Sequence, residues 1–165
     1  MTTATFAGRK TASVVEDYLR ASLFIPELRT KKKSSVLEEM VSSLVATGVT
    51  RHPEAVLDVL RRRESLGSTG LGKGVAIPHA RCTLVTERAL LVARSTRGVE
   101  FDSADGAPVH LLFLIVAPPV DRDPVYLQLL ADLVRGVRLA RVRQRLIDAP
   151  DFSLIREILV EASHE

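Results

Sequence analysis

Apolar residues recur at spacings of three and four between Ser34 and Thr47, at Val36, Leu37, Met40, Val41, Leu44 and Val45. That period predicts an amphipathic helix. Ser35 with Glu38 fits a capping box at its start, and Gly48 fits the residue just past its end. A second helix is expected from Pro53, a residue tolerated in a first helical turn, to about Arg63. Shorter apolar runs read as strands: Leu23–Ile25, stopped by Pro26, then Val75–Pro78, Ala89–Arg94 and Val109–Ala117. The last is almost wholly apolar, as a strand covered on both faces should be. Ala104–Ala107, carrying Asp105-Gly106, reads as a turn. Pro124 can open a third helix through about Gly136, with Val125, Leu129, Leu130, Leu133, Val134 and Val137 as its buried stripe. Leu139–Ile147 and Phe152–Val160 read as further helices, separated by Ala149-Pro150. No internal repeat is visible. The expected fold class is α/β, a single domain with a mixed β-sheet flanked by helices on both faces. Residues 1–20 read as an N-terminal extension, either mobile or carrying a short helix with Val14, Val15, Tyr18 and Leu19 on one face. Residues 21–165 form the domain.

Composition narrows this picture. A chain of 165 residues suits one domain. Its one cysteine, Cys82, excludes an internal disulfide and a zinc site built on several thiolates. The longest apolar run, Val109–Val120, falls short of the roughly 20 residues a membrane helix needs, and it holds His110 and two prolines. Met1–Ala12 has no apolar core of signal-peptide type, so a cytoplasmic protein is expected. The net charge of +3 comes mainly from residues 1–33, with seven Lys and Arg against three Asp and Glu. A basic arm of this kind can contact nucleic acid. None of the seven aromatic residues is interleaved with Lys31-Lys32-Lys33 as a base-stacking surface would need, so a solvated surface is the better reading and no nucleic-acid partner is expected.

The stretch Gly67-Ser68-Thr69-Gly70-Leu71-Gly72-Lys73-Gly74 nearly matches the phosphate loop G-x-x-x-x-G-K-[ST], but Gly74 has no hydroxyl for magnesium. Its context differs too. The preceding Asp58–Glu64 is helical and charged, and Pro78 disfavours a helix at Ile77. Two readings stay open: a plain turn, or a loop presenting N–H groups and hydroxyls to a phosphoryl group held elsewhere. Of the four histidines, His52 starts a helix, His164 sits by the chain end and His110 begins a buried strand. His79 stands apart because it follows both the glycine-rich loop and Pro78.

The run from Arg63 to Ala80, with the core Gly67-Ser68-Thr69-Gly70 through Ala76-Ile77-Pro78-His79, closely resembles the phosphorylation-site signature of enzyme IIA proteins of the bacterial phosphotransferase system. The likeness is to the fructose/mannitol family, and most closely to its nitrogen-regulatory branch. It continues through Phe101–Val109 and Leu111–Pro118, and covers about Leu23 to Leu159. The resemblance implies that His79 accepts a phosphoryl group from a small histidine-phosphorylated, HPr-like carrier protein. Neutral imidazole is a nucleophile near physiological pH, and its phosphoramidate keeps the group transferable. The resemblance assigns Arg63 to phosphate stabilisation, for which its planar fork is suited. Ser68 and Thr69 either donate to the phosphoryl group or stabilise the turn. Gly70, Gly72 and Gly74 supply positive φ or close approach. Cys82 invites a Cys–His nucleophile reading, but no third orienting group is evident.

Members of the family usually carry a second active-site histidine at the start of the helix after the long strand. Here that position holds Tyr126, which can donate a hydrogen bond but cannot take a positive charge as histidine does. The resemblance calls for no metal, nucleotide or other cofactor. A shallow apolar surface with Leu71, Val75 and Ile77 is expected to dock the donor. The sequence contains no IIB-like or membrane segment, which favours the regulatory branch, acting on target proteins. A sugar-specific subunit passing phosphate to a IIB domain is the alternative, and a regulatory module that no longer transfers phosphate is another.

Overall fold

The computed structural model describes residues 13–120 and 122–165. Its elements are α1 (Val14–Tyr18), β1 (Phe24–Ile25), α2 (Lys33–Ala46), α3 (Pro53–Ser65), β2 (Gly70–Gly72), β3 (Val75–Ala76), β4 (His79–Arg81), β5 (Ala89–Val99), β6 (Val109–Ala117), α4 (Pro124–Val137), α5 (Ala140–Asp148) and α6 (Phe152–Ala162). The strands form one sheet in the order β1-β5-β6-β3-β2, with β4 also paired to β6. β6 runs antiparallel to β5 and parallel to β3 and β4, so the sheet is mixed.

β6 explains its own composition. Leu112, Leu114 and Val116 enter the core shared with α2 and α3, while Leu111, Phe113, Ile115 and Ala117 enter the core shared with α1, α4, α5 and α6. Side chains alternate along a strand, so a strand with a helical layer on each face must be apolar at every position. The expected fold, a mixed sheet with helices on both faces, is the observed one. Of residues 1–20, residues 1–12 lie outside the described residues. Val15 and Leu19 are buried in the second core.

Local differences have physical causes. α2 begins at Lys33 with Lys32 as N-cap and no side-chain capping bond. The capping box expected at Ser35 and Glu38 therefore does not form. Ser35 already lies inside the helix, and the Glu38 carboxylate takes Arg61 at 2.7 Å. β5 runs on past Arg94 to Val99 through a register shift, where Gly98 adopts φ 86° and its N–H donates to Ser95 Oγ at 3.1 Å. A bulge of this kind lets a strand continue through a polar stretch. β2 and β4 carry too few apolar residues to be legible as strands.

Candidate functional site

The site begins where α3 ends. Glu64, in the last turn, is the anchor of the glycine-rich loop. Its carboxylate accepts from the Thr69 N–H at 3.1 Å and from the Thr69 hydroxyl, and pairs with Lys33 Nζ at 2.7 Å. Ser68 Oγ donates to the Phe101 carbonyl at 2.7 Å and accepts the Gly70 N–H at 3.0 Å. Both loop hydroxyls are thus engaged within the protein. Arg63 Nη1 donates to the Gly67 carbonyl at 2.9 Å, which ties this half-buried guanidinium to the loop.

Beyond Gly70 the chain makes a tight hairpin. Lys73 and Gly74 have φ of 56° and 79°, the signs a two-residue turn between twisted strands requires. Asp105 Oδ2 accepts the Lys73 N–H at 2.8 Å, and this bond, with a second from Ala107, holds the Asp105 carboxyl below the usual range. The phosphate-loop lookalike is therefore a β-hairpin. Gly74 bonds through its carbonyl to the Leu111 N–H, whereas His79 is in register with Ile115, roughly 13 Å further along β6. Gly72 and Gly74 shape the hairpin at a distance from His79.

The hairpin returns to the loop through the Ile77 N–H, which donates to Thr69 O at 3.1 Å. Pro78, without an N–H, separates β3 from β4. His79 then opens β4 with its Nδ1 2.8 Å from the Ile77 carbonyl. A carbonyl oxygen only accepts, so Nδ1 carries the proton and the neutral ring has its lone pair on Nε2. The ring is half-buried. Ala80 and Cys82 belong to the core on the α2/α3 side, so strand alternation turns His79 and Arg81 towards α4. Cys82 accordingly points away from His79.

On that side Tyr126 is 5% exposed, and the Arg81 guanidinium lies 4.2 Å from its ring centroid. Burial pushes the Tyr126 hydroxyl pKa up, while the positive charges of Arg81 and Arg63 act against that rise. Arg81 and Tyr126 thus meet on the face of β4 that His79 shares, and the Arg63 charge acts at Tyr126. α4 is aimed by Asp123, whose Oδ1 accepts the Tyr126 N–H at 3.1 Å and whose carboxylate receives two bonds from Arg88 at 2.8 Å each. Arg88 holds the Asp123 carboxyl below its ordinary range against the opposing effect of burial.

The expected docking residues need correction. Val75 and Ile77 are 1% and 2% exposed, because β3 lies inside the sheet and both side chains enter the second core. Leu71 is exposed as expected, together with Leu66, Leu84, Val120 and Leu127. His52 is the N-cap of α3, and His110 Nδ1 donates to the Ser95 carbonyl at 2.8 Å. No described helix is long and apolar enough to cross a membrane. Sequence reasoning missed Glu64, Arg81 and Asp123. For Arg81 the signal was present: a residue two positions after His79 shares its face if the stretch is extended.

Residues 17–162 match the family model described as phosphoenolpyruvate-dependent sugar phosphotransferase system, EIIA 2. The chain is 34% identical over 132 residues to the PTS system fructose-specific EIIABC component of Bacillus subtilis (strain 168), covering 80% of this chain and 21% of that longer protein. It is 33% identical to the PTS system fructose-specific EIIA component of Haloferax volcanii, over 78% of this chain and 83% of that one. Its fold superposes on the nitrogen regulatory protein IIA-Ntr from Neisseria meningitidis with a TM-score of 0.82 at 31% identity, covering 89% of this chain and 99% of that one.

Proposed function

The chain belongs to the phosphoenolpyruvate-dependent sugar phosphotransferase system EIIA 2 family, and from that membership we propose that it is a phosphocarrier whose acceptor is His79. The observation that carries this reading is the bond between His79 Nδ1 and the Ile77 carbonyl, which leaves Nε2 as the nucleophile. The donor is an HPr-like protein phosphorylated on histidine. Its P–N bond breaks with the electron pair remaining on the donor nitrogen, and the Nε2 lone pair forms the new N–P bond. Protonation of the donor's other ring nitrogen lets that ring leave neutral. His79 keeps its Nδ1 proton, and the Ile77 carbonyl stabilises the resulting ring charge. Such a transfer calls for positioning and neutralisation of oxygens more than covalent machinery. Arg63 supplies a planar cation for the phosphoryl oxygens. Tyr126 occupies the place of the family's second histidine and offers a hydroxyl. Ser68, Thr69 and Gly70, tied to Glu64 and Phe101, hold the loop in shape, and Gly72 and Gly74 shape its hairpin.

The recipient we propose is a regulated target protein, in keeping with the fold likeness to IIA-Ntr. The likeness to fructose-specific EIIA components favours a second reading, onward transfer to a IIB domain. The test is incubation with a phosphoenolpyruvate-driven donor relay, followed by mass spectrometry under non-acidic conditions. One acid-labile phosphoryl group should be gained, and His79→Ala should abolish it. No gain, or a gain that survives His79→Ala, overturns the reading. Transfer from the phosphorylated protein to a fructose-type IIB domain would decide for the second recipient.

A further inference from the structure

Arg81 is held by a carbonyl and an aromatic ring, with no carboxylate bonded to it among the described residues. Its Nη1 donates to the Val120 carbonyl at 3.2 Å, and its guanidinium covers the Tyr126 ring. Among the described residues it forms no ion pair, nor does Arg63. Asp123, the N-cap of α4, is fully enclosed and bonded by Arg88 and the Tyr126 N–H, and the Arg81 charge is a minor help in holding its carboxyl low. The Arg81 guanidinium thus lies over the Tyr126 ring with no carboxylate bonded to it among the described residues, and the Arg63 charge also acts at the Tyr126 hydroxyl. Gathering like charges beside a half-buried histidine is unfavourable until an anion arrives to offset them. Arg81 also lies on the same face of β4 as His79, two residues on, about 7 Å along the backbone, within reach of a long side chain.

Resting on the phosphocarrier reading of His79, we propose that Arg81 is a phosphoryl-binding residue of this site. It supplies the fixed positive charge that the enzyme IIA family draws from its second histidine and that Tyr126 does not carry. The ligand is the dianionic phosphoryl group, first in transfer and then on His79. Arg81 donates N–H bonds to its oxygens and neither gains nor loses a proton. Tyr126 serves as the platform on which the guanidinium is stacked, an arrangement that suits the planar fork of arginine. A guanidinium is a fixed cation, whereas an imidazole is a cation only when protonated.

The test is single-turnover transfer from the phosphorylated donor at saturating concentration, with thermal melting as a check on folding. Arg81→Gln should slow transfer about a hundredfold, the scale seen when one preorganised donor to a developing oxyanion is lost. Half-saturation by the donor should stay within about threefold, since the charge acts on the transferring group more than on docking. Arg62→Gln, which removes an exposed charge paired with Asp58, should leave the rate unchanged. Adding Tyr126→His to Arg81→Gln should restore transfer, with a new fall as pH rises through about 6.5, where an imidazolium loses its charge. A wild-type rate in Arg81→Gln, a loss equally large in Arg62→Gln, or a double variant that recovers nothing overturns the proposal. Failure of the unmodified protein to accept any phosphoryl group overturns the phosphocarrier reading itself, an outcome distinct from any difference between active variants.

Discussion

At Gly70 the loop backbone passes against Ser103, and a Cβ placed there would lie 3.0 Å from Ser103 Cα and still closer to its hydroxyl. The clash is with backbone as well as side chain, so rotation of Ser103 alone cannot relieve it. Gly70→Ala should cost about 1–3 kcal/mol of stability, the usual range for overpacking, read as a lower urea midpoint at an unchanged slope. It should also loosen the loop, because Gly70 N–H is the partner of Ser68 Oγ. Every histidine carries the same nucleophilic ring and every arginine the same planar fork, so it was the likeness of the Arg63–Ala80 run to the family signature that singled out His79 and Arg63. Glu64 was not legible, because its partner Lys33 is distant in sequence on α2; for Arg81 the two-residue spacing from His79 was visible, but its stacking on Tyr126 of α4 was not.

The start of α4 is the element on which the site most depends. Asp123 caps the helix and receives Arg88 in a two-bond pair, with the carboxylate enclosed and the guanidinium about one-third exposed. Because Arg88 lowers the folded-state pKa of Asp123, the pair adds stability that is complete above the ordinary carboxylate range and is lost as pH falls through the depressed folded value. Asp123→Asn should therefore be less stable than the parent by roughly 2 kcal/mol at pH 7, with the gap narrowing below about pH 4. Urea denaturation at the two pH values checks this; a gap that is constant or widens in acid would contradict it. The helices were legible because their apolar stripes are long and periodic. The capping box at Ser35 failed because Lys33 joins the helix to reach Glu64, a tertiary contact no local pattern records. β3 was read within an extended Val75–Pro78 piece, but its partner β2 was hidden because it is two glycines around Leu71, and β4 because three residues give no readable alternation.

For the molecule as a whole, β6 is the shared wall of two cores. Phe113 and Leu114 are both fully buried but face opposite helical layers. Phe113→Ala should cost about 3–5 kcal/mol and Leu114→Ala about 2–5 kcal/mol. Each should still unfold in one transition, since the layers share a sheet and cannot melt separately. Two transitions in either variant would contradict that coupling. The mixed sheet with helices on both faces was legible from the unbroken apolar run of β6. The site's assembly was not, because it depends on strand order, which places β4 beside β6 and so presents His79 to α4. The proposal that this fold presents His79 Nε2 as the acceptor of a phosphoryl group is tested by nitrogen-15 NMR of the histidine-labelled protein after reaction with the phosphorylated donor. Phosphorus should be bonded to Nε2 of His79, with Nδ1 still protonated. Phosphorus on Nδ1, on another histidine or on none would contradict it.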